Sequence, residues 1–141
     1  MTRPAIQELE DRWILGLRGT CVESVSKQTE LTVGLNNGAQ IKVGRNALLT
    51  LGPATAPGAE LMRVSEIPGD QLDRLVGARV LSAVAFKSGS LRIVFSTRHH
   101  LNVRSTDAAV TAEVLQPGSF EWSYSHSGVK MNLHPPQSLS D

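Results

Sequence analysis

The chain has one cysteine in 141 residues, 4% aromatic residues and a formal net charge of +1, and each shortage removes a class of function. Cys21 alone allows no intrachain disulfide and no cysteine-rich metal site. So few aromatic rings leave little for a platform of stacked bases. A nearly neutral chain has no whole-molecule field to draw nucleic acid or an anionic membrane, so any such binding needs a local patch. No apolar run approaches the ~20 residues of a membrane span. Residues 1–11 are polar and mostly acidic and lack the apolar core of a signal peptide, so a cytoplasmic location is expected. Phosphate loop, dinucleotide fingerprint, metalloprotease helix and nucleophile elbow are all missing, and no cofactor is expected.

What is present is an internal repeat. Leu17, Gly19, Val22 and Ser24 recur as Leu75, Gly77, Val80 and Ser82, an offset of 58. Leu31, Val33, Leu35, Ile41 and Val43 recur as Leu91, Ile93, Phe95, Leu101 and Val103, an offset of 60. The two extra residues fall around Lys87-Ser88-Gly89-Ser90. The repeats cover roughly 17–45 and 75–105 of a single domain.

Each repeat reads as a three-stranded meander, with strands at 21–26, 31–35 and 40–43 and again at 79–86, 91–95 and 100–103. Asn36-Asn37-Gly38 is the sharpest turn signal, because Asn-Gly adopts positive φ cheaply. Period-two alternation buries Leu31, Val33, Leu35, Ile41 and Val43 on one face and turns Thr32, Gln40 and Lys42 to the other. A short helix is expected over 3–12, from Pro4 and the spacing of Ile6, Leu9 and Trp13. Short strands are expected at 48–51 and 61–67, and helical turns capped by Asp70 at 70–75. Residues 106–115 fit strand or helix. Residues 119–133 form a C-terminal hairpin, and 134–141 a disordered tail. A meander cannot bury its apolar face alone. The fold is therefore mainly β: two tandem antiparallel meanders packed about a pseudo-twofold axis as a sandwich or flattened barrel, with the hairpin and one or two short helices.

The pattern Trp13 … Leu17-x-Gly19-x-x-Val22 with Leu31-x-Val33-x-Leu35-x-x-Gly38, its second copy, and the late Glu121-Trp122 resemble a small actinobacterial domain of unknown function. The resemblance spans roughly residues 13–133. It implies the fold and no activity. It also implies an acidic-Gly turn in the second meander, where this chain has Thr97 and Arg98.

That departure makes Arg98-His99-His100 the stretch of greatest interest, since broken turn chemistry accompanies functional sites. Adjacent strand residues face opposite ways, so His99 and His100 do not ligate one metal together. Parity sets His99 with Leu101 and Val103 at the edge of the core, and His100 outward with Asn102 and Arg104. The ordinary reading is a solvated loop with one half-buried histidine. Lys87, Arg92, Arg98, His100 and Arg104 share the outer face of the second meander. They form either a face for an anion or acidic partner, or a solvated edge blunted by charge. Cys21 has Glu23 and no base beside it, and reads as a small half-buried residue. The carboxylates Glu8, Glu10, Asp11, Asp70 and Asp73 suit helix solvation better than paired acid–base work. His126 and His134 lie in a turn and a tail. Phe120, Trp122 and Tyr124 share one strand face, as core or interface.

With no catalytic constellation, the expected function is a non-catalytic cytoplasmic protein-binding module. Its most concrete form is an immunity-type partner that neutralises a toxin. The expected partner is a protein or a second copy of the chain, with nucleic acid disfavoured and no membrane. The predicted partner or anion face is Arg92, Arg98, His100 and Arg104. One alternative is a small-molecule carrier with a pocket walled by Leu35, Phe95 and Trp122 between the meanders. The other is an anion- or nucleic-acid-binding module that uses the basic face.

Overall fold

The computed structural model describes residues 6–52, 62–105 and 111–133. The first meander is β3 (Val22–Lys27), β4 (Leu31–Leu35) and β5 (Gln40–Val43). The second is β8 (Val80–Phe86), β9 (Leu91–Phe95) and β10 (His99–Val103). The remaining strands are β1 (Gln7–Glu8), β2 (Arg12–Ile14), β6 (Leu48–Leu51), β7 (Met62–Arg63), β11 (Ala112–Gln116), β12 (Phe120–Ser125) and β13 (Gly128–Leu133). They build a seven-stranded sheet, β1-β2-β8-β9-β10-β6-β7, and a six-stranded sheet, β13-β12-β11-β5-β4-β3. Each meander sits in its own sheet. The inner faces of both supply one apolar core, so the architecture is the expected sandwich.

The duplication is visible in the hydrogen bonds that join the two sheets at one corner. Cys21 and Arg79 form an isolated bridge on the pseudo-twofold axis. Around it the bonds come in matched pairs. Gly19 N–H donates to Val80 O and Gly77 N–H to Val22 O, each at 2.8 Å. Val22 N–H donates to Ala78 O and Val80 N–H to Thr20 O, again at 2.8 Å. Each meander also carries the same bulge, between Val22 and Ser24 and between Val80 and Ser82.

The strands after the meanders trade places. β6 leaves the first meander and pairs with β10 of the second, and β11 leaves the second and pairs with β5 of the first. Each half therefore completes the other's sheet. The C-terminal hairpin β12–β13 extends the six-stranded sheet beyond β11.

Three expectations are corrected. The segment expected as a helix over 3–12 is, from Ile6 onward, the β1–β2 hairpin, whose second strand pairs Trp13 with Ala85 and Ile14 with Val84. The free edge of β8 offers backbone partners that outweigh a weak local helix preference. Of the strand expected at 61–67, residue 61 lies outside the described residues, Met62–Arg63 is strand, and the chain then tightens into a 3-10 turn, Val64–Glu66. Lys27 explains that turn: its Nζ donates to Ile67 O at 2.6 Å and Val64 O at 3.4 Å. The helical turns are α1 (Gly69–Leu72) and a 3-10 turn at Asp73–Leu75, but Pro68 is the N-cap and Asp70 makes no cap. Of residues 106–115, 106–110 lie outside the described residues, and the strand runs from Ala112 onward. The tail 134–141 lies outside the described residues. No helix among the described residues is long and apolar enough to cross a membrane.

Candidate functional site

The two β-turns that end β4 and β9 are copies with different residues. Gly38 N–H donates to Leu35 O at 3.0 Å, and Arg98 N–H donates to Phe95 O at 2.9 Å. Gly38 has φ 88° and Arg98 φ 76°. Arg98 is the one non-glycine residue among those described with positive φ. The turn has kept the shape of the first copy and carries the strain. A left-handed residue of this kind costs about 1–2 kcal/mol, which the surroundings must offset. Gly52 N–H donates to the Arg98 carbonyl at 2.8 Å, and the Thr50 hydroxyl donates to Gly52 O at 2.6 Å. Arg98→Gly is expected to raise stability by about 0.5–1 kcal/mol in urea unfolding. A loss instead would show that the arginine side chain contributes more than its backbone costs.

The strained turn delivers His99 to a cavity. His99 and Leu51 are paired across β10 and β6. With Leu49, Met62, Ile67 and Gln71 they line a space of about 110 Å³ between the end of the seven-stranded sheet and α1. The Thr97 hydroxyl and His99 Nδ1 are 2.7 Å apart, which fixes the ring. Burial, and then the positive charge of Arg74, hold the His99 pKa below its ordinary value, so the imidazole is neutral at pH 7. His100 is shifted in the same direction, by burial and then by Arg92.

The outer face of the seven-stranded sheet holds the other candidates. Arg92 pairs with Asn102 and Val94 with His100, so Arg92 and His100 are diagonal neighbours. Arg104, exposed, follows on the same parity, and Arg98 is exposed at the turn entering β10. Lys87 does not join them, because its Nζ contacts Glu8 at 2.7 Å and lies 5.3 Å from the Trp13 ring centroid. In its place the N-terminal hairpin brings Arg12. The Arg12 and Arg92 guanidinium carbons lie 4.7 and 5.9 Å from the centroid of Phe86. Ile14, Val84 and Val94 complete an apolar strip on this face.

The remaining candidates are dispersed. Cys21 is half-buried on the pseudo-twofold axis, where its N–H donates to Asn36 Oδ1 at 3.1 Å. Asp11 pairs with Arg12 at 3.0 Å, and that hydrogen bond holds its carboxyl below the usual value. His126 is exposed in the β12–β13 turn, and His134 lies outside the described residues. Leu35, Phe95 and Trp122, named above as possible pocket walls, are packed in the core. A larger, polar groove of about 430 Å³, which no sequence signal marked, runs past Glu30, Arg45, Ser65 and Thr111.

A family model described as "Family of unknown function (DUF6188)" matches residues 13–120. No curated protein and no solved structure matches the chain.

Proposed function

We propose that this chain, which belongs to that family of unknown function, is a non-catalytic protein-binding module that engages an acidic protein surface. The observation that carries this reading is the charge on the outer face of the seven-stranded sheet. By strand register that face presents Arg12, already paired with Asp11, together with Arg63, Arg92 and His100 around Ile14, Val84, Phe86 and Val94, and its strand-paired positions include no carboxylate. The six-stranded sheet differs: its outer face sets Lys42 opposite Glu113 and carries Glu121 as well as Lys130. Interface cores are enriched in arginine and aromatic residues, and a one-signed rim steers a partner of opposite sign. An immunity-type role in the cytoplasm is the concrete form of the proposal, and a lone cysteine suits a reducing compartment.

The test is affinity capture from a lysate of the source organism at low and moderate salt, with an Arg92/Arg98/Arg104→Ala variant beside the wild type. One stoichiometric protein is expected, retained at moderate salt and lost in the variant. Undiminished capture by the variant, recovery of salt-labile nucleic acid alone, or turnover by the pure protein would each overturn the reading.

A further inference from the structure

The internal repeat provides its own control for the His99 cavity. Across the six-stranded sheet one inward row runs Val33, Ile41, Val114, Trp122. The equivalent row of the other sheet runs Ile93, Leu101, Leu49, Met62. The first row ends in an indole that is 0% exposed, the second in a thioether that is 37% exposed. The next row repeats the contrast. Ala39, fully buried after the first turn, stands where His99 stands after the second, and buried Gln116 stands where Leu51 is 65% exposed. One half of the duplicated fold has closed this position with Trp122 and Phe120. Among the described residues the other half leaves it open, lined by four apolar side chains with Thr50, Gln71 and the half-buried His99 imidazole, behind the strained turn.

From this asymmetry we infer that the His99 cavity is a binding site for a small aliphatic carboxylate, independent of the protein-binding face. The volume sets the size. An apolar cavity of about 150 Å³ admits benzene, so about 110 Å³ takes a branched body of about four carbons. Leu49, Leu51, Met62 and Ile67 would surround that body. The head group follows from the polar end. Of the two neutral tautomers, the one in which the Thr97 hydroxyl donates to Nδ1 carries the ring proton on Nε2 and offers a donor, and that is the tautomer that would bind the carboxylate. The Gln71 amide is a second donor. Arg74 is the charged group whose field acts on the ring, and it favours an anion there. A carboxylate meets all three.

The probe is isovalerate, with 3-methylbutan-1-ol as the neutral isostere, titrated into the full chain while the Met62 methyl and His99 ring resonances are followed. Isovalerate is expected to give saturable shifts at both residues and to bind about tenfold tighter than the alcohol, the worth of one hydrogen bond to a charged group. Met62→Trp, which copies the Trp122 position of the other half, is expected to abolish binding of both probes. Gln71→Glu, on the exposed side of α1, tests the head group even if the tryptophan variant fails to fold. It is expected to weaken isovalerate about tenfold and leave the alcohol within about twofold. Equal affinity for the two probes, or no saturable shift at either residue, would overturn the inference. The Arg92→Ala variant, altered on the outer face alone, should bind isovalerate as the wild type does, which keeps the failure of one reading distinct from that of the other.

Discussion

Trp122→Ala is expected to cost about 3–5 kcal/mol of stability, whereas Trp122→Phe should cost less than about 1.5 kcal/mol. The indole is fully buried at the inward end of the row that begins at Val33, and it joins the C-terminal hairpin to the first meander. Truncation to a methyl group leaves a cavity in a close-packed interior that relaxes only partly. The large difference between the two substitutions is one of volume, and the small cost of the second also reflects one atom. Trp122 Nε1 is buried and has no acceptor among the described protein groups. An unpaired buried donor carries a desolvation cost of about 1–3 kcal/mol. Phenylalanine removes that donor and keeps most of the ring volume, so gain and loss nearly offset. Urea unfolding followed by far-ultraviolet circular dichroism measures both variants. Phenylalanine costing clearly more than about 1.5 kcal/mol would mean that the N–H is satisfied in solution.

The second large effect is expected at Gly89, in the turn between β8 and β9. Gly89→Ala should destabilise the protein by about 3 kcal/mol. The residue has φ 110°, outside the range that side-chain-bearing residues adopt cheaply. A Cβ there would also stand well inside van der Waals contact with the Tyr124 ring of β12. The ring cannot move away freely, because the Tyr124 hydroxyl donates to Ser105 O at 3.3 Å and Ser105 is itself bonded to Ser90. The two causes separate in a double-mutant cycle. Against a Tyr124→Ala background the steric part disappears, and Gly89→Ala should then cost only the about 1–2 kcal/mol of its backbone conformation. Costs that add across the cycle would show that the ring does not rest on the turn.

These two positions also show how legible the chain was. Trp122 was visible as one member of an alternating strand face, and its burial follows from that parity. That Gly89 lies under an aromatic ring was not visible, since the contact joins residues 35 positions apart in chain order. The candidate site divides in the same way. The inward parity of His99, the outward parity of His100 and the strained turn all follow from alternation and from Thr97 and Arg98 standing where a glycine turn is expected. The cavity needs Leu49 and Leu51 of β6, Ile67 and Gln71 from beyond β7, and His99 of β10, segments brought together by a crossover that no local pattern announces. The N-terminal hairpin is hidden in the sequence for a related reason. Its apolar spacing suits a helix, yet Trp13 and Ile14 are placed by pairing with Ala85 and Val84, far along the chain.

The sequence by itself determined the duplicated meanders, their turns, the inward and outward faces and the C-terminal hairpin. Each of these follows from side-chain alternation and backbone preference over a few neighbouring residues. Only the tertiary structure decided that β6 and β11 exchange sheets, that the N-terminus adds two strands to β8, and that one half closes with Trp122 where the other stays open beside His99. The physical reason is that strand partners and core volume depend on contacts between distant segments. Two halves with the same local pattern can therefore pack the same position in two different ways.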